Sequence, residues 1–162
     1  MNRDRILIVN NNMHIGGVQK ALANLLCEIH SDYDITLLLF YKGGELLKDV
    51  PPDVKVIDAA APFRYLGMSK SDAVRVCDKL FRFFFAAFTR IFGMRAAVKL
   101  MGLTQKKIRG YDTAISFLHS GREKVFYGGC NEFVLDFTEA QQKITFVHCD
   151  FEKIGAVSKK NR

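Results

Sequence analysis

Hydrophobic and polar positions alternate between two periods along the chain. Ile6-Leu7-Ile8-Val9, framed by Arg5 and Asn10, is a continuous apolar run. Such a run predicts a strand covered on both faces. A polar loop follows, Asn11-Asn12-Met13-His14-Ile15-Gly16-Gly17. Val18, Leu22, Leu25, Leu26 and Ile29 then recur at helical spacing. The first unit therefore reads as strand, Gly-Gly loop, helix. Residues 34–41 predict a second buried strand, ended by Gly43-Gly44, and Pro51-Pro52 forbids regular structure just beyond. Residues 54–58 predict a short third strand. Residues 71–107 predict a long helical region broken at Gly93. Residues 112–118 predict a fourth strand, 122–128 a short helix, and 143–148 a fifth strand that ends on His148. Residues 155–162 are a polar, basic tail.

Strands alternating with helices predict an α/β fold, a Rossmann-like parallel sheet with helices on both faces. Ligands of such sheets bind beyond the carboxyl ends of the strands. The Gly16-Gly17 loop and His148 both follow predicted strands, so both are expected at one crevice.

Length and composition narrow this picture. The chain has 162 residues, enough for one domain with a sizeable core. Its first residues do not form a secretory signal, and no stretch reaches the ~18 apolar residues of a spanning helix. A soluble or peripheral cytoplasmic protein is the expectation. Cys27, Cys77, Cys130 and Cys149 form no C-x-x-C pair and read as free thiols in a reducing compartment. No metal site is expected.

Charge changes the picture more. The net charge is +7. Between Lys79 and Arg109 there are eight basic residues and no acidic one, while the rest of the chain is nearly balanced. One cationic face is implied rather than a generally basic protein. On a helical wheel Arg75, Lys79, Arg82 and Arg90 share one stripe. Leu80, Phe81, Phe84, Phe88, Ile91 and Phe92 fill the opposite arc. Two readings stay open. Either the phenylalanines pack on the sheet, or the helix lies in a membrane interface, with Lys79, Arg82, Arg90, Arg95 and Lys99 facing an anionic surface. No nucleic-acid partner is expected.

Several residues carry candidate chemistry. Gly16-Gly17 opens a helix, where unpaired N–H groups and positive potential suit a phosphate or a sugar hydroxyl. A plain turn would use the same two glycines. Neither G-x-G-x-x-G nor Gly-Lys-Ser/Thr is present. His148 reads either as a core histidine or as a site residue, with Asp150 near enough to orient its ring. His14 lies in the first loop, and Ser116 and His119 lie at and just after the end of the fourth strand.

Three segments in this order resemble the GT4-like, or group 1, glycosyltransferases. They are the first strand with Ile15-Gly16-Gly17-Val18-Gln19-Lys20-Ala21-Leu22, the strand Tyr111-Asp112-Thr113-Ala114-Ile115-Ser116-Phe117, and Lys143-Ile144-Thr145-Phe146-Val147-His148-Cys149-Asp150. The resemblance implies the N-terminal, acceptor-side half of a two-domain GT-B enzyme over residues 1–162, lacking the C-terminal donor domain. It implies retaining, metal-independent transfer with no cofactor beyond a nucleotide diphosphate sugar as co-substrate. The acceptor would be a glycan or lipid-linked glycan of surface or capsular polysaccharide synthesis, met at the inner face of the plasma membrane. By the same resemblance Gly16 and Gly17 approach the donor diphosphate, and His148 supports catalysis. His14, Ser116, His119 and Asp150 are candidates for the acceptor. Gln19 departs from the glutamate common in that family, and His119-Ser120-Gly121 from its acidic-Gly loop. A non-catalytic nucleotide-binding module and a peripheral membrane-binding module are the alternatives.

Overall fold

The computed structural model describes residues 3–148. Five parallel strands form one sheet in the order β3-β2-β1-β4-β5. β1 (Arg5–Asn10) lies at the centre, between β2 (Asp34–Leu39) and β4 (Ile108–Ser116). β3 (Lys55–Asp58) and β5 (Thr138–Thr145) are the edges. Apart from their first residues, β1 and β2 are wholly buried, as continuous apolar runs require. Their side chains alternate between two cores. Ile6, Ile8, Leu37 and Leu39 pack against Leu22 and Leu26 of α1 (Gly17–Ile29). Leu7, Val9 and Leu38 face the other side, beneath α3 (Val76–Phe92), α4 (Met94–Met101) and α5 (Cys130–Phe137). A short α2 (Arg64–Gly67) adds to that layer. Phe40, Phe63 and Phe133 form its aromatic centre, with ring centroids 5.0 to 5.3 Å apart. The fold is thus α/β, with a parallel sheet covered by helices on both faces.

Several predicted elements shift for local reasons. The long helical region begins at Val76 rather than at residue 71. Before it, the backbone N–H and hydroxyl of Ser69 both donate to the Asp72 carboxylate, and the Asp72 N–H donates back to Ser69 Oγ. That side-chain turn competes with helix. Gly93 ends α3 as expected, with φ +85°. No helix forms over 122–128. The Glu123 carbonyl there accepts the Met94 N–H at the start of α4, and Gly128 and Gly129 follow with positive φ. The helix of this region is α5, which begins immediately after Gly129.

β5 runs earlier than predicted, over Thr138–Thr145, so His148 lies beyond the strand rather than at its end. The Phe146 N–H still donates to Ser116 O at 2.9 Å, so the ladder tapers off. β5 is an exposed edge with mostly polar residues, not a buried apolar strand. Cys149, Asp150 and the basic tail lie outside the described residues.

Candidate functional site at the carboxyl edge

β1 is the point where the sheet changes direction. The chain runs outward from β1 to β2 and β3, then returns to β4 on the other side of β1. Connections that leave adjacent strands in opposite directions open a crevice between their carboxyl ends. Residues 11–16 after β1 and the segment starting at Phe117 after β4 lie at this edge. Residues 146–148, after β5, lie beside that segment. The Phe117 N–H donates to Val9 O and ties the β4 end to β1.

The first loop is held from several sides. The Met13 N–H donates to Gly43 O, the Leu46 N–H to Met13 O and the Tyr41 N–H to Asn11 O. The Asn12 amide donates to Gly67 O. Gly44 lies so close to Met13 and His14 that a Cβ there would strike their backbone, and its φ of +116° also excludes one. The loop after β2 is therefore the buttress that shapes the loop after β1.

Gly16 and Gly17 behave differently. Gly16 caps α1 in extended conformation, without any side-chain cap bond to the first-turn N–H groups, and that turn carries no acidic residue. A Cβ on Gly16 would clash only with the flexible end of Gln19, and one on Gly17 would meet nothing within 4 Å. The fold's own packing therefore does not demand glycine at position 17. The α1 N-terminus can be approached closely by an anion or hydroxyl group.

His14 is neither simply exposed nor open to a ligand on both nitrogens. Its Nε2 lies 2.7 Å from Asp72 Oδ2, and its Nδ1 lies 3.4 Å from Glu45 Oε2. Burial pushes the Asp72 carboxyl up, but the Ser69 hydroxyl and amide and His14 outweigh it and hold it below its usual range. Glu45 is also held low, first by its own backbone N–H, against some burial and with help from Ile15 and His14. Both carboxylates are therefore anions at neutral pH that can accept hydrogen bonds from hydroxyl groups.

Ser116 is fully buried, and its hydroxyl proton lies between Leu118 O and Asn131 Oδ1 of α5, at 3.2 and 2.6 Å. It joins β4 to α5 and does not face a ligand, which corrects its assignment as an acceptor contact. His119 is buried just beyond it. Its pKa is lowered, first by burial and then by His148, so its ring is neutral at physiological pH. Burial of Cys130 raises its thiol well above the usual value, which rules it out as a nucleophile at neutral pH.

His148 is exposed at the same edge. Its Nε2 donates to Phe117 O at 2.7 Å, and its ring centroid lies 4.9 Å from that of Phe117. A carbonyl cannot donate, so the proton is on Nε2, and Nδ1 is the other nitrogen of the ring. Glu45, Asp72 and Asn131 escaped sequence reasoning. The only local sign of Glu45 and Asp72 is the run of asparagines and glycines that holds their partner His14.

The cationic stripe also divides. Arg95 pairs with Asp136 at 3.6 Å, and Lys107 and Arg109 pair with Glu139 at 3.5 and 2.7 Å. Arg82 turns inward, its Nη1 donating to Tyr65 O and Met68 O. Among the described residues Lys79, Arg90 and Lys99 have no ion-pair partner. The phenylalanine arc does not cover the sheet: Ile91 is 67%, Leu80 63% and Phe92 62% exposed.

No group of three or more His, Cys, Asp or Glu side chains is placed to hold a metal ion among the described residues. No helix among them is long and apolar enough to cross a membrane. No family model, curated protein or solved structure matches the chain.

Proposed function

We propose that this domain is the acceptor-side half of a retaining glycosyltransferase of GT-B type. It would transfer a sugar from a nucleotide diphosphate sugar to a glycan or lipid-linked acceptor at the inner face of the plasma membrane, in surface or capsular polysaccharide synthesis. One observation carries the reading. At the switch point of a parallel sheet, the uncapped N-terminus of α1 at Gly16-Gly17 shares the carboxyl edge with the exposed imidazole of His148.

In this reading the first-turn amides of α1 receive diphosphate oxygens of the donor. His148, oriented by Phe117 O, stands beside the sugar. The ionised Glu45 and Asp72, with His14 between them, accept hydroxyl groups of the acceptor. A separate C-terminal domain supplies the remaining donor contacts, and no metal or further cofactor takes part.

The test uses the protein together with its donor half. His148→Ala should leave the melting temperature nearly unchanged and lower transfer at least a hundredfold, the usual weight of a positioned catalytic group. Transfer at the wild-type rate overturns the role of His148. The 162-residue chain by itself should show no transfer and only weak nucleotide-sugar affinity. Micromolar binding in a calorimeter would overturn the division into two halves.

A further inference from the structure

The side of α3 that faces solvent is its apolar side. At about 100° per residue, Val76, Leu80, Phe83, Phe84, Ala87 and Ile91 occupy one arc of about 100°. The buried residues on the opposite side are Asp78, Phe85 and Thr89. Val74, just before the helix, is 78% exposed and continues the patch. Contiguous exposed apolar surface of this kind marks a contact surface.

Its rim identifies the partner. Lys79 and Arg90 border the arc on one side, and neither has an ion-pair partner among the described residues. An open hollow of about 360 Å³ lies at that border. It is lined by Lys70, Lys79 and Arg82 together with Ala73, Phe83 and Ala86. Three cations over an apolar floor suit a phosphate whose ester chain continues along Phe83. Protein contact surfaces are depleted in lysine, whereas helices of the bilayer interface combine phenylalanine with lysine and arginine.

We infer that the outer face of α3 beds into the surface of an anionic phospholipid membrane and that the Lys70–Lys79–Arg82 hollow receives a lipid headgroup phosphate. Phe83 and its neighbours enter the acyl boundary, while Lys79 and Arg90 stay at headgroup level. Arg82 is held for this by Tyr65 O and Met68 O. The inference extends the reading of a membrane-side acceptor but does not need it, since vesicle binding and sugar transfer are separate measurements.

Co-sedimentation of the chain with phosphatidylcholine vesicles, with and without phosphatidylglycerol, tests it. Binding is expected only with phosphatidylglycerol and should weaken as salt rises. Lys79→Ala and Arg90→Ala should each weaken it about fivefold. Phe83→Ser should weaken it further, with thermal unfolding unchanged. Arg95→Ala, whose cation is already paired, should change it least. Equal binding to both vesicles, or no binding to either, overturns the inference. So does a concentration-dependent dimer that Phe83→Ser disperses in the absence of vesicle binding, which would give the face to a second copy of the chain.

Discussion

α1 and α3 are both amphipathic by sequence, yet they are seated in opposite senses. α1 lays Leu22, Ala23 and Leu26 on the sheet. α3 turns Asp78 and Thr89 inward with Phe85 and leaves most of its apolar arc in solvent. The difference lies in what each helix meets. Beneath α1 is an unbroken apolar sheet face. Beneath α3 are polar groups that need partners. Arg64 lies 3.6 Å from Asp78, and the carbonyls of Tyr65 and Met68 receive Arg82. Thr89 closes on Phe85 O within its own helix. A helical wheel establishes that a helix has two faces, but the neighbours decide which face is inside.

The largest effects should come from the residues each helix buries. Leu26→Ala in α1 and Phe85→Ala in α3 should each cost about 3 kcal/mol in urea unfolding, the usual cost of a cavity. Phe83→Ala, two residues from Phe85, should stay within about 0.5 kcal/mol. If Phe83 costs as much as Phe85, α3 is seated like α1 and its solvent face has been misassigned.

Arg82→Ala should have an intermediate effect, about 1 to 2 kcal/mol, because two carbonyls lose a charged donor. A neutral result would mean that polar partners do not orient α3. Lys79→Ala removes a cation of the same helix that has no ion-pair partner among the described residues, so it should leave the urea midpoint unchanged.

A smaller effect than that of Arg82 concerns pH. The folded Asp72 carboxyl is held below its ordinary value of 3.8. The folded state therefore takes up this proton less readily than the unfolded chain. The stability Asp72 contributes is present above that ordinary value and is lost as pH falls through the folded one. Urea midpoints taken downward from pH 5 should show a decline that is shallower in Asp72→Asn. Identical slopes would mean that the His14–Asp72 contact does not tie the first loop to the segment preceding α3.

The elements that sequence reveals are those whose residues share one environment. β1 and β2 are legible because nearly every residue is buried, and the break at Gly93 because only glycine adopts its conformation readily. The start of β5 is not legible because its first five residues, Thr-Glu-Ala-Gln-Gln, form an edge without an apolar period. α5 carried a usable signal in Cys130, Phe133, Val134 and Phe137, but it is only two turns long. At the candidate site the loops were legible from the glycines and from the strand ends. The partners were not. Asp72 reaches His14 across 58 residues, and Asn131 reaches Ser116 across 15. Such pairings depend on how the sheet is crossed, so Ser116 looked like a ligand contact when it is a fastening of the fold.

The central position of β1 also sets an order of events during synthesis. Its pairing with β2 needs residues that follow shortly, but its pairing with β4 spans about a hundred residues, as in the Arg5–Asp112 bond. At about 5–20 residues per second, a ribosome takes roughly 5 to 20 s to cover that interval. For that time one edge of the most apolar strand is without its partner. The nascent chain is most vulnerable to aggregation then, and a holding chaperone would matter more for this domain during translation than after release.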